Sequence, residues 1–294
     1  MKTAVSTVTI MAIIGASYLI WAPRSAQAWG ASGHRLAARA AVLALPDDMP
    51  LFFTDSIDQL VYLNPEPDRW RDPAEAELDS ALNQAYSVDH YLDLELVPEG
   101  ALDSADRHEF ARAVGDGTLP GFSSFRTLEL FQRVRLEFRL WRQEDDAQIR
   151  GWIEQRIIND AGILGHYITD ASNPLHTTIH FDGWTGDNPN GYVTDRGIHT
   201  RFETEYVNAR ISLDDMEPFM NSPVREWNNP RRSILDNLEA SFAMVETLYE
   251  LDRDLRFGES TDSEVHHQFT AQRLAQGALA LRDAWWTAWV SSAE

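Results

Sequence analysis

Across 125–146, apolar residues recur at Leu128, Phe131, Val134, Leu136, Phe138 and Trp141, with Arg and Glu between them. A repeat every three or four residues predicts an amphipathic helix. The stretch 152–171 is apolar on several sides, through Ile153, Ile157, Ile158, Ile163, Leu164 and Ile168. A helix without a polar face belongs in the centre of a bundle. Further helices are predicted over 34–45 (capped by Ser32), 199–211, 233–255 and 265–290. Segments 46–80 and 98–122 are rich in Pro, Asp and Gly and read as loops and short turns, with one short helix within 75–91. Residues 173–197 contain Pro174, Gly183, Gly186, Pro189, Gly191 and Gly197 and read as a long ordered loop or hairpin. There is no sustained β alternation and no internal repeat. The expected fold class is all-α, a single-domain multi-helix bundle of six or more helices.

The first 28 residues follow a different pattern. Lys2 precedes an uncharged run over 3–23, and Ala26 and Ala28 form a small-x-small cleavage site. The run is also long enough to act as an anchor, but the position of the Ala-x-Ala favours cleavage after Ala28. The expectation is a signal peptide over 1–28, a mature domain over 29–294, and a secreted or periplasmic location.

Composition narrows the chemistry. Hydrophobic residues make up 44% of the 294, enough for a core, which excludes global disorder. The chain holds 46 Asp+Glu against 25 Lys+Arg, a formal charge of -21. That excludes a generic electrostatic grip on nucleic acid but not a metal-dependent enzyme acting on it. Removal of 1–28 takes away Lys2 and Arg24 and no acid, so the remainder is more acidic still. With no cysteine, disulfides, thiolate zinc sites and a cysteine nucleophile are ruled out. Any metal must be held by nitrogen and oxygen.

The nine histidines carry the candidate chemistry. His166 and Asp170 lie four apart on the predicted central helix and so share a face. One such pair is explained equally well as a structural ion pair. A second pair, His199 and Glu203, repeats the spacing on another predicted helix, and His176 follows shortly after the first. Repetition in a chain without cysteine points to a metal site. If Trp29 becomes the N-terminus, its free amine and carbonyl can chelate a metal, with His34 one turn on.

Trp29-Gly-x-x-Gly-His34, His166-x3-Asp170-x5-His176 and His199-x3-Glu203 together resemble the zinc-dependent phospholipase C and S1-P1 nuclease superfamily. The resemblance covers nearly the whole mature chain, from Trp29 to at least Glu203, and implies an all-α enzyme with three zinc ions in one cleft. It identifies His90, in Asp89-His90-Tyr91-Leu92-Asp93, as a further ligand. It also identifies Asp68 as the remaining carboxylate, with Asp72 as the alternative. By this resemblance Asp68, His90, His166 and Asp170 hold a first zinc. Trp29, His34 and Asp170 hold a second, and His176, His199 and Glu203 a third. His108, His180, His266 and His267 are left as surface or outer residues.

The implied reaction is phosphodiester hydrolysis, with Asp68 as the catalytic carboxylate that orients or deprotonates the attacking water. Tyr91 and Arg69 are the expected substrate-binding residues. Glu203 and the absence of cysteine resemble the phospholipase C branch, whose substrate is a phospholipid met at a membrane surface. The Trp-Gly-x-x-Gly-His start and Tyr91 resemble the nuclease branch, which cuts single-stranded nucleic acid to 5′-nucleotides. The phospholipase-like branch is the first expectation, as a monomer with no protein partner. A non-catalytic helical protein using Trp285, Trp286 and Trp289 as a contact surface is the reading from another class; those tryptophans are expected in the core instead.

Overall fold

The structure, a computed structural model, describes residues 29–115, 117 and 119–293. The expected leader, 1–28, lies outside the described residues. The helices are α1 (Gly30–Leu43), α2 (Leu51–Thr54), α3 (Ile57–Leu63), α4 (Glu66–Arg69), α5 (Pro73–Leu78), α6 (Ala81–Ser87), α7 (Arg107–Val114), α8 (Ser123–Gln143) and α9 (Ala147–Asp170). They continue as α10 (Ile198–Thr200), α11 (Val207–Arg210), α12 (Leu213–Met216), α13 (Pro230–Phe242), α14 (Val245–Asp254) and α15 (Glu264–Val290). A π segment, Arg201–Tyr206, joins α10 to α11. The fold is all-α: among the described residues there is no strand, only an isolated bridge between Phe181 and Gly183. Among them, too, no helix is long and apolar enough to cross a membrane.

α9 is the axis, about 36 Å long at 1.5 Å per residue. From Ile157 onward nearly every residue is buried, because α1, α3, α8 and α15 all pack on it. α8 returns alongside it as the other limb of a helical hairpin. α15 closes the bundle against α1, α8 and α9. Trp285 is fully buried, and Trp286 and Trp289 pack against the same core. A smaller cluster, including Leu92, Phe110, Phe125 and Leu235, sits beside it.

The close approach of α3 to α9 decides where the site forms. A Cβ on Gly162 would lie 2.5 Å from Leu63 Cβ, and one on Gly165 would lie 2.3 Å from Asn64 Nδ2. These two glycines let the end of α3 sit directly on α9 and bring Asn64 over it. Gly165→Ala is therefore expected to destabilise the fold by about 1–3 kcal/mol through overpacking. That exceeds the gain of up to about 1 kcal/mol from better helix propensity. Urea unfolding of the variant against wild type measures the difference; equal or higher stability would contradict this account of the contact.

Several sequence expectations are corrected here. Ser32 lies inside α1, not at its cap. The N-cap is Trp29, at φ 29°, followed by Gly30 at φ 39°. The continuous helix over 233–255 is two helices, broken at Ala243-Met244. The break follows Ser241, whose buried hydroxyl donates to the Ala171 carbonyl at 2.7 Å. Segment 46–80 is more helical than expected, because short turns dock on the bundle. Segment 98–122 contains α7, whose first turn is capped by Asp106 accepting from His108 and Glu109 N–H at 2.8 Å.

Candidate metal centre

Seven stretches of chain converge at the C-terminal end of α9. α1 supplies His34 and α9 supplies His166 and Asp170, one turn apart. Asp68 comes from α4 and His90 from the segment after α6. His176 ends the 3-10 turn Pro174–His176, His199 sits in α10, and Glu203 lies in the π segment. Their ligand atoms form three groups, each within 4.8 Å internally: His34, His166 and Asp170; Asp68, His90 and His166; and His176, His199 and Glu203.

The groups interlock. Asp170 Oδ1 is 3.3 Å from His34 Nε2, and its Oδ2 is 3.2 Å from His166 Nε2 and 3.3 Å from His90 Nδ1. The same oxygen is 3.7 Å from His176 Nδ1. His166 Nε2 also lies 3.0 Å from His90 Nδ1, which is 3.9 Å from Asp68 Oδ1. In the third group Glu203 Oε2 is 2.8 Å from His199 Nε2 and 3.6 Å from His176 Nε2.

The outward nitrogens show which inward atoms carry lone pairs. His34 Nδ1 donates to Asn64 Oδ1 at 2.8 Å, and His166 Nδ1 donates to the Asn64 carbonyl at 3.0 Å. His176 Nδ1 donates to the His90 carbonyl at 2.7 Å. A neutral imidazole that donates from one nitrogen only accepts at the other. Inward Nε2 atoms therefore face carboxylate oxygens, and His176 Nε2 faces His199 Nε2 at 3.2 Å. With the imidazoles neutral, acceptor opposes acceptor. His34 Nε2, Asp68 Oδ1, Asp170 Oδ1 and Glu203 Oε1 are buried with no hydrogen-bond partner. Such a set calls for protons or cations between its members, and anchored histidines of fixed tautomer are how metal ligands are held. His90 departs from the pattern: its Nδ1 faces inward and its Nε2 is buried without a partner.

Burial dominates the titration of the cluster. It pushes Asp68 up to about 6, against the pull of His166 and Arg71, and Glu203 up to about 8, against His176. It pushes His90 down to about 3 and His199 down to about 4. Asp170 is equally buried, but the charges and hydrogen bonds of His166 and its neighbours outweigh burial and hold it well below the usual carboxylate range. Split values in one cluster are typical of functional sites.

The remaining sequence candidates fall as follows. Asp72 is exposed and caps α5, accepting from Glu75 N–H at 2.9 Å, so of the two alternatives only Asp68 joins the cluster. Trp29 is buried between α9 and the π segment. Its indole donates to the Thr169 carbonyl at 2.8 Å, its ring lies 5.2 Å from Phe202, and its carbonyl accepts Gly33 N–H at 3.1 Å. Tyr91 is half-buried with its backbone and ring against Gly121. The Arg69 guanidinium is taken up by α3 and α4, stacking 4.3 Å over Tyr62 and donating to the Tyr62 carbonyl and Glu66. The arginine at the cluster is Arg71, whose Nη1 lies 3.6 Å from Asp68 Oδ1 and whose charge depresses both His90 and His199.

His266, expected at the surface or in an outer shell, is buried and bonds the Leu255 carbonyl and Ser263 hydroxyl, closing the turn between α14 and α15. His180 stacks on Trp184 at 3.8 Å. Asn64 and Asn173, which donates to Glu203 at 3.0 Å, orient ligands without any local motif. Only their tertiary position reveals them.

No family model matches this chain, and no curated protein gives a significant match. Among solved structures it is similar to the alpha-toxin of Clostridium perfringens from an avian strain, at 14% identity, over 90% of this chain and 65% of that one, with a TM-score of 0.47. It is also similar to alpha toxin from Clostridium absonum, at 14% identity with the same coverage and a TM-score of 0.43. The chain thus spans 65% of the length of these structures.

Proposed function

We propose that the chain is an exported, zinc-dependent phosphodiester hydrolase with three zinc ions per chain, acting on phospholipid in the manner of a phospholipase C. The observation that carries this reading is the interlocking of three buried His and carboxylate groups, with His34 Nε2, Asp68 Oδ1, Asp170 Oδ1 and Glu203 Oε1 left without a hydrogen-bond partner. Asp68, His90, His166 and Asp170 would hold the first ion, and His176, His199 and Glu203 the third. His34, Asp170 and the amine and carbonyl of Trp29 would hold the second, once 1–28 is removed. Zinc bound there supplies Lewis acidity toward a phosphate oxygen and toward water.

The chain's own groups do the rest. Asp68, the carboxylate of the first group, would orient or deprotonate the attacking water. Arg71, mostly buried beside Asp68, is a cation placed for a phosphoryl oxygen. Tyr91 adjoins His90 in sequence and offers a ring to the substrate's organic part.

The formal charge of -21 favours a phospholipid over a polyanion, since counterion release from a nucleic acid needs clustered cations on the protein. The test uses the zinc-loaded chain beginning at Trp29, given mixed phospholipid vesicles and single-stranded RNA in parallel, with chelated controls. Chelator-sensitive diacylglycerol release is the expected result. Chelator-sensitive release of 5′-nucleotides replaces the phospholipid reading with the nuclease one, and activity on neither substrate removes both.

A further inference from the structure

We infer that Asp182 and Tyr249 are positioning residues for the third ligand group, holding His199 in place from outside the cluster. The inference rests on the metal-centre reading above.

His199 is the least anchored of the three. The ring of His176 is tied through Nδ1 to the His90 carbonyl, and Glu203 accepts from Asn173. The outer nitrogen of His199 faces the backbone of Phe181 without a well-formed hydrogen bond. α10 begins only one residue before it, at Ile198. Its position must therefore be fixed through the backbone, and the loop over 177–197 supplies the means.

That loop is strapped to α14. The Tyr249 hydroxyl, on a fully buried side chain, donates to the His180 carbonyl and accepts Gly183 N–H at 3.0 Å. It thus fixes both ends of the tetrapeptide containing Phe181 and Asp182. At Gly183, φ 116°, an added Cβ would lie 2.6 Å from the Thr194 carbonyl oxygen, so the two limbs of the loop touch backbone to backbone there. Asp182 then reaches across. Its Oδ1 accepts Gly197 N–H at 2.7 Å and His199 N–H at 3.4 Å, and its Oδ2 accepts from Arg196 Nε at 3.0 Å. Contacts run unbroken from the core face of α14 to the backbone of His199. α14 braces the other side as well: Asp252, three residues after Tyr249, pairs with Arg201 at 2.8 Å, two residues from Glu203.

The experiment uses the full chain, expressed with its leader and purified after export, then dialysed at graded free zinc. Zinc per chain is counted by elemental mass spectrometry, and thermal unfolding is followed on the same samples. Asp182→Ala and Tyr249→Phe are each expected to weaken one of the three zinc equivalents roughly 10–100-fold, the scale of losses at residues that orient ligands. The other two should stay at wild-type affinity, and raised zinc should restore the third. Asp182→Asn keeps an acceptor oxygen for the two N–H groups and should retain all three. Variants that hold every equivalent normally, or that lose all three in parallel with a lowered melting temperature, overturn the inference. A wild-type protein that binds no zinc overturns the reading beneath it and the inference with it, so the two failures are distinct.

Discussion

Replacing Asp170 with Ala is expected to lower kcat/KM by roughly 10³-fold or more, about 4 kcal/mol of transition-state stabilisation. It should also remove more than one zinc equivalent at once. The reason is its place in the cluster: one carboxylate meets His34, His166 and His90 within 3.3 Å, and His176 at 3.7 Å. Of the histidines, Glu203 meets His176 and His199. Glu203→Ala should therefore cost one equivalent where Asp170→Ala costs at least two. Zinc content of the two variants, with far-UV circular dichroism to verify folding, makes the comparison. An Asp170→Ala protein carrying a full metal complement would show that the carboxylate is a structural partner of the histidines and nothing more.

Stripping the metal is the second large effect. A ligand that binds only the folded state adds about 4 kcal/mol at a thousandfold excess over its Kd. A domain of this size loses roughly 2–4 °C per kcal/mol. Three ions removed should lower the melting temperature by more than about 10 °C. The metal-free protein should also gain a steeper pH dependence than the loaded protein. Glu203 is raised from 4.5 to about 8, so folded protein keeps a proton there that unfolded chain has released. Its contribution to stability is full below pH 4.5 and is lost as pH rises through about 8. Asp68, raised to about 6, acts in the same sense at lower pH. His90 and His199, depressed to about 3 and about 4, act oppositely, but only below 6.5. Between pH 6.5 and 8 Glu203 is the group of the cluster that acts; Asp93 and Glu137, raised by burial to about 7 outside it, act in the same sense with or without metal. The melting temperature of chelated protein should fall with rising pH across that window more steeply than that of zinc-loaded protein. Parallel curves for the two forms would show that no ion engages Glu203.

Legibility in the sequence followed periodicity. α8, α9 and α15 were readable because each repeats its apolar positions over five or more turns, so the helical pattern outweighs local noise. α2 to α5 were not, because four to seven residues among Pro and Asp form helices only when the bundle docks them, whereas α6 falls within 75–91, where one short helix is expected. The ligand pairs on α9 and in the π segment were visible because i,i+4 spacing places two side chains on one face whatever the tertiary context. Asn64, Arg71, Asp182 and Tyr249 carried no such mark. Asn64 reaches His34 only because two glycines on α9 admit α3, and Arg71 reaches Asp68 only because α4 turns where it does. The neighbouring Arg69 is chemically identical, and nothing in its local sequence says that Tyr62 and Glu66 would claim it.

The π segment limits how this chain can gain or lose residues. A π turn holds one more residue than the α turn it replaces, and such bulges gather at functional sites. His199, before it, and Glu203, within it, belong to the ligand cluster; Tyr206, at its end, and Val207, after it, belong to the hydrophobic core. Gly30 packs against the Glu203 carbonyl and Thr204, so the two sets are also wedged apart from outside. Deleting one residue over 204–206 would let the backbone relax to an ordinary helix. It would also turn everything downstream by about 100° relative to Glu203. The core and the carboxylate could then no longer both be satisfied. An insertion-deletion map of this stretch should therefore be blank, and a designer straightening the helix for stability would be trading away the site.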